Sequence, residues 1–323
     1  MSHPALPAPM LTDRQRIEMT VSCRDCDNLP RVANAGQVVD EAGQRIQIMH
    51  NGLKVVADGY YGAWMTEIIT RLGGHHEPQE ERVFHEVLRH LGPDATMIEL
   101  GGFWSYYTLW FLSGSPARRS VVLEPDPRNI AVGRANAALN GLAPEFVQAF
   151  AGPEPKPAVT HATDTVRRNT LPQRSVADLM AASGFTRLDL LHCDIQGAET
   201  GLIPSLAPLV RENRLGFGVF STHAEAISGD PLTHQTCLAH IAAIGGHVLV
   251  EHDVHESYSG DGLIVAWFGR APIAFAEPAI SRNRYATALF RNPLYDLAER
   301  ERAGIGGAVL RRLRALARRL LRR

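Results

Sequence analysis

Cysteine is scarce in this chain of 323 residues: Cys23, Cys26, Cys193 and Cys237 are the whole supply. Four thiols are too few for a disulfide-built scaffold, and buried free thiols are the expectation for Cys193 and Cys237. The opening MSHPALPAPMLTDRQRIEM lacks a basic start followed by an apolar core. It does not read as a secretory signal, and a reducing cytoplasm is the expected location. No run of about 18 apolar residues occurs, so no helix is expected to span a membrane. Large net charge is missing too. A formal −1 argues against a general nucleic-acid binder. Internal repeats and long low-complexity tracts are absent, and 28 Gly with 20 Pro suit a loop-rich enzyme rather than a disordered polymer.

The near-neutral total hides an asymmetry. From Ala308 onward there are seven Arg and no acid, so the rest of the chain carries −8. Val309, Leu310, Leu313, Leu316, Leu320 and Leu321 follow helical spacing between those arginines. The tail therefore predicts a basic amphipathic helix, suited to peripheral contact with an anionic membrane or to packing in a homo-oligomer. Upstream, ATMIEL, SVVLEP, EFVQAF, RLDLLHCD, LGFGVFST, GHVLVEHD and GLIVAWF are short β-rich runs. Helical patterns over 129–140, 176–183, 201–213 and 233–244 lie between most of them, and another is expected over 80–91. Such alternation predicts an α/β fold, a Rossmann-like sheet of seven mostly parallel strands. The expected divisions are an N-terminal extension (1–80), the main domain (81–270) and the tail (271–323). Within the extension, RIQIMHNGLKVVAD with Asn51-Gly52 predicts a hairpin.

The first core strand ends Glu99-Leu100-Gly101-Gly102, and the second ends Glu124-Pro125-Asp126, about 25 residues later. Small residues at a strand's carboxyl end let a ligand approach the backbone, and an acid after the second strand can accept both hydroxyl hydrogens of a ribose. A dinucleotide needs a phosphate cradle of the Gly-x-Gly-x-x-Gly kind. Here the continuation is Phe103-Trp104-Ser105-Tyr106-Tyr107, bulky and aromatic. S-adenosylmethionine (SAM) is favoured over NAD.

Four ordered motifs, MIELGGFWSYYT (97–108), LEPDP (123–127), Asn136 with Asn140-Gly141, and LDLLHCDIQGAE (188–199), resemble the FkbM-type SAM-dependent methyltransferases. The resemblance spans roughly 95–268. It implies a class I methyltransferase fold that methylates hydroxyls of sugars and related natural products. It carries the methionine-side motif onto Glu99 and Gly101, with Gly102, Trp104 and Ser105 continuing that loop. The ribose acid falls on Glu124, with Asp126 close behind. Phe103, Ser105, His192 and Gln196 stand where the family has Asn, Gly, Lys and Glu.

Moving a methyl group from a sulfonium to a hydroxyl is an in-line displacement. The protein must align the oxygen and remove its proton. In open α/β sheets such groups gather at the carboxyl strand ends. There the sequence offers Asp194, Glu199 and His223, the first and last for proton removal and orientation, with Glu199 in support. A saccharide or glycolipid is the expected acceptor. Gly74-His75-His76-Glu77 reads either as a plain helix start or as a lid, with Tyr60, Tyr61 and Trp64 as a sugar-stacking platform. His252, Asp253, His255 and Glu256 crowd one connection and read as a polar loop, so metal-free chemistry is expected. A metal-assisted variant would draw on Asp194, Asp253 and Glu256. A non-catalytic binding or assembly protein of the same fold is the alternative from another class. Cys23 and Cys26 have ligand spacing without a second pair, and read as structural.

Overall fold

A computed structural model of the chain describes residues 12–290. The predicted tail helix after Ala308 lies outside the described residues. The first helix, α1 (Asp13–Ser22), starts at a capping box in which Thr12 Oγ1 accepts from Gln15 N and Gln15 Oε1 accepts from Thr12 N. A three-stranded antiparallel sheet follows, β1 (Val38–Glu41), β2 (Gln44–Ile48) and β3 (Lys54–Val56). Asn51-Gly52 turns the predicted hairpin, with Gly52 N donating to Met49 O. Two helices, α2 (Ala63–Arg71) and α3 (Pro78–Arg89), lead into the main sheet. Pro78 opens α3 where its missing N–H costs nothing.

The main sheet alternates as expected: β4 (Thr96–Leu100), α4 (Tyr106–Ser113), β5 (Arg119–Leu123), α5 (Pro127–Leu139) and β6 (Glu145–Val147). A small sheet of β7 (Phe150–Ala151), β8 (Lys156–His161) and β9 (Asn169–Arg174) intervenes. Then come α6 (Val176–Ala182), β10 (Leu188–Cys193), α7 (Glu199–Ser205), α8 (Ala207–Arg211) and β11 (Leu215–Thr222). The one-turn α9 (Glu225–Ser228), α10 (Thr233–Ala243), β12 (His247–His252) and β13 (Gly262–Trp267) complete it. The expected helix over 201–213 is two, broken at Leu206, where Pro208 in the first turn of α8 cannot continue a hydrogen-bond ladder. The small sheet and α4 were not foreseen. From Tyr106 to Leu112 every residue of α4 is buried, so it has no polar face and no helical period.

The seven strands run β12-β13-β11-β10-β4-β5-β6. All neighbours from β11 to β6 are parallel, and β13 runs against both β11 and β12. Strand order reverses between β4 and β10, as in doubly wound Rossmann-like sheets, and the crevice at that switch is where such sheets take ligands. Strand alternation sorts two cores. Met97, Leu190, Phe217, Val219 and Val265 face α3, α4 and the extension, while Ile98, Leu100, Leu191, Phe220 and Ile264 face α6, α7 and α10.

The Asn136 and Asn140 pair has a structural task. Asn136 Oδ1 accepts from Val56 N at 2.8 Å while its Nδ2 donates to Trp104 O at 3.0 Å. Asn140 exchanges two bonds with the Lys54 backbone, at 2.9 and 2.7 Å. Together they bolt β3 onto α5 and onto the loop after β4. Asn136→Ala strands two backbone groups in the interior and is expected to destabilise the protein by about 1–3 kcal/mol. Urea unfolding followed by circular dichroism measures this, and an unchanged midpoint would remove the bolt.

Candidate functional site

The loop after β4 is held hard against its neighbours. Gly101 N and Gly102 N both donate to Leu123 O, and Asp194 N donates to Leu100 O. A Cβ on Gly101, which sits at φ +76°, would lie 1.7 Å from the Asp194 carbonyl oxygen. Only glycine lets the ends of β4 and β10 come this close. Beyond it the backbone stays unusual, with Phe103 at φ +36° and Ser105 at φ +65°. Ser105 thus holds a left-handed conformation that glycine adopts far more readily than serine.

Glu99 and Glu124 end neighbouring strands on either side of Gly101-Gly102. Glu99 accepts from Thr108 N in the first turn of α4 at 3.3 Å, and burial lifts its pKa to about 7 against the pull of His192 and that N–H. Glu124 accepts from Asp126 N, Phe103 N and the Asn129 amide at 2.8, 3.0 and 3.3 Å. Burial raises its pKa to about 7 as well, more than those three donors lower it.

Three residues that the sequence assigns to the cofactor loops make internal contacts. Asp126 caps α5 through Arg128 N and takes the hydroxyls of Thr163 and Thr165 at 2.7 Å each. Its buried carboxylate, which burial alone would raise, is held below the usual range by these bonds. Ser105 is fully buried over Gly133, where a Cβ would sit 2.5 Å from its Oγ. Trp104 stacks on Tyr60 with ring centres 4.5 Å apart and planes 3° from parallel. A loop this tightly curved sends alternate side chains inward, which a linear motif does not reveal.

At the far side of the crevice, Asp194, Glu199 and His223 do converge. His223 Nε2 lies 3.0 Å from Asp194 Oδ1, and Nδ1 lies 3.7 Å from Glu199 Oε1. A residue the sequence did not single out joins them: Asp261, in the β12–β13 connection, has Oδ1 3.6 Å from His223 Nε2. The Gln196 amide nitrogen is 3.2 Å from the same ring nitrogen. Burial would depress the His223 pKa, but Asp261 and Asp194 outweigh it and raise it to about 10. His223 is therefore an imidazolium at neutral pH, a donor and not a base. Asp194, like Asp261, is partly exposed, and the His223 charge, acting against burial, holds the Asp194 carboxyl below the usual range. Burial raises Asp261 to about 7.

Residues of the extension wall this cavity. Tyr60, Tyr61, Trp64, His76 and Glu77 line it together with Asp194, His223 and Asp261. Behind them runs a dry chain that sequence reasoning missed: Ser221 Oγ donates to Glu80, and Glu80 Oε1 lies 2.7 Å from His192 Nε2. His192 Nδ1 stands 3.9 Å from Glu99, and its ring stacks on Tyr107 at 4.4 Å.

His75 and His76 serve the start of α3. Glu81 accepts from His75 Nδ1 at 2.6 Å and from His76 N and Glu77 N at 2.7 and 3.2 Å. Cys26, His75 and Glu81 lie within mutual reach of one ion, but Cys26 Sγ already donates to Pro78 O and Glu81 is spent on the helix start. Asp253 and Glu256 are likewise spent, on a reciprocal cap of their own turn. No metal-ligand cluster among the described residues includes them.

No family model matches the chain, and no curated protein does. Among solved structures it is similar to the cofactor-bound Rv0187 from MTB, at 16% identity and TM-score 0.40, over 58% of this chain and 79% of that one. It is also similar to a precorrin-6y C5,15-methyltransferase from Geobacter metallireducens (16%, TM-score 0.37, 57% and 85%). The ribosomal protein L11 methylase of Lactobacillus delbrueckii is another (13%, TM-score 0.35, 65% and 81%). The fold assignment stands on strand order.

Burial would lower the pKa of His76 as it would that of His223, yet Glu77 and Glu81 raise it to about 10. Both folded values exceed the ordinary 6.5. Their stabilisation is thus complete below pH 6.5 and lost as the pH climbs through about 10. The urea midpoint should fall between pH 7 and 10, and His223→Gln should flatten part of that fall. A midpoint level across this window in the wild type would sink the imidazolium assignment.

Proposed function

We propose that the protein is a SAM-dependent O-methyltransferase acting on a hydroxyl of a saccharide or glycoconjugate. The observation that carries the reading is the pairing of Glu99 and Glu124 at adjacent strand ends across Gly101-Gly102, opposite the Asp194–His223 pair. A SAM ribose would take the Glu124 carboxylate. Three donors already occupy it, so accepting both hydroxyls means releasing the Phe103 or Asn129 bond. The Gly101-Gly102 backbone, bare of side chains, leaves room for the methionine end beside Glu99.

The acceptor would enter between the aromatic wall and Asp194. Tyr60, Tyr61 and Trp64 offer flat apolar faces of the kind that pack on sugar rings, and Asp194, Glu77 and Asp261 offer acceptors for hydroxyl hydrogens. Asp194 is ionised and partly exposed, which fits it to take the proton as the oxygen attacks the methyl carbon. His223, held protonated between carboxylates, orients Asp194 and does not compete for that proton. Glu199 fixes the loop by accepting from Ile195 N at 2.7 Å. The step balances: a C–S bond breaks, a C–O bond forms, and the proton leaves with Asp194. Among the described residues no helix is long and apolar enough to cross a membrane. Contact with an anionic membrane surface, if the acceptor is lipid-linked, falls to the arginine-rich tail.

Calorimetric titration should show SAM and S-adenosylhomocysteine binding and NAD not binding. Glu124→Ala should weaken SAM by about 1–3 kcal/mol, the cost of a hydroxyl pair left without its charged acceptor. Unchanged affinity would remove the ribose assignment, and NAD binding would remove the methyltransferase. With labelled SAM and a panel of saccharides, Asp194→Asn should abolish label transfer while leaving SAM affinity within about twofold. Deleting residues 308–323 should end co-sedimentation with anionic vesicles at low salt and spare SAM binding. Full-length protein that ignores such vesicles would make the tail a packing helix.

A further inference from the structure

The surroundings of His223 hold more negative charge than the ring can answer. Asp194, Asp261 and Glu199 approach it from three sides, at 3.0, 3.6 and 3.7 Å. Three carboxyl groups share one ring, and burial raises the pKa of both Glu199 and Asp261, the mark of carboxyls that the ring alone does not compensate. Among the described residues that line the cavity, Arg16 is the only Lys or Arg, and its guanidinium packs over Trp64. Glu199 and His223 are wholly buried, and each has an atom with no hydrogen-bond partner, Glu199 Oε2 and His223 Nδ1. Buried carboxylates are retained where they are paired or where they hold a metal. One ligand atom each from Asp194, Glu199 and His223 lie within 4.8 Å of one another. Three donors held by one ion at roughly 2.0–2.2 Å stand at most about 3.8 Å apart pairwise, so the group closes on an ion by side-chain adjustment of up to about an ångström.

We propose that Asp194, Glu199 and His223 bind a divalent cation at the acceptor end of the crevice, the ion displacing the His223 ring proton to solvent, with Asp261 in reach as a fourth ligand. Imidazole with two or three carboxylates suits Mn²⁺, Fe²⁺ or Zn²⁺, with no thiolate to select a softer ion. The sequence favoured metal-free chemistry, and its metal-assisted variant joined Asp194 to Asp253 and Glu256, which are spent on capping their own turn. Asp194 and Glu199 end one loop, His223 follows β11 and Asp261 precedes β13; only the sheet brings them together. The ion's role rests on the methyltransferase reading: it would bind the acceptor oxygen and lower the pKa of its hydroxyl, leaving the proton easier to remove. Its presence does not rest on that reading.

The test is Mn²⁺ binding to the full-length, EDTA-stripped protein, followed through the paramagnetic resonance signal of free Mn²⁺. One ion per chain is expected, with a dissociation constant below about 100 µM. Glu199→Gln and Asp194→Asn should each weaken it at least tenfold, and Cys26→Ser should leave it unchanged. Asp194 is partly exposed, so its variant keeps the test alive if the buried Glu199 variant does not fold, as circular dichroism will show. Absence of stoichiometric binding overturns the proposal. So does binding that ignores both acidic variants, or binding that follows Cys26→Ser, which would move the ion to the Cys26, His75 and Glu81 group. SAM affinity is titrated separately on the same stripped protein. Mn²⁺ bound without SAM keeps the metal site and sinks the methyltransferase, while SAM bound without Mn²⁺ does the reverse.

Discussion

The carboxylates at the ligand-binding edge of the central sheet are withdrawn from water, and the local structure is arranged around what compensates them. Glu99 has an α4 backbone N–H and the His192 ring nearby, Glu80 has His192 and Ser221, and Glu81 has His75 with two backbone N–H groups. Isolated buried charges cost several kcal/mol each, so none of these side chains tolerates the loss of its partner. This requirement fixes α3. One turn of it supplies Glu77, Glu80 and Glu81 to three different partners, and Tyr107 on α4 donates to Glu77 at 2.9 Å. The extension is thus built into the main domain by polar bonds at the site itself, beyond its apolar packing on the same sheet face.

The sheet was legible because parallel strands buried on both faces read as short, continuous β-branched runs, and its closing β12–β13 pair lacked a helical pattern between its strands. The turn at Asn51-Gly52 and the start of α3 at Pro78 were legible for local reasons, each set by one residue's backbone preference. What stayed hidden was long-range. Asp261 carries no motif and matters only because β13 runs antiparallel beside β11, delivering its preceding loop next to His223. Glu80 looked like a helix-start acid, and its partner is 112 positions away. The internal bonds of Ser105, Trp104 and Asp126 were equally hidden, because tight backbone curvature and a helix cap, not motif spacing, set where those side chains pack.

Two histidines at equivalent strand ends illustrate how burial separates structure from chemistry. His192 ends β10 with one nitrogen on Glu80, a ring face on Tyr107 and Glu99 nearby. It is 3% exposed, and the cavity lining does not include it. His223, one strand over, is just as buried, but the carboxylates it touches, Asp194 and Asp261, reach the cavity with about a quarter of their side chains exposed. A proton or cation arriving from the cavity can reach those oxygens, whereas nothing enters at His192 without unpacking α3. The carboxylates open to the cavity therefore gather at β11 and its neighbours. The His192 chain acts as the wall that holds α3, and through Glu77 the aromatic rim, at a fixed height above it.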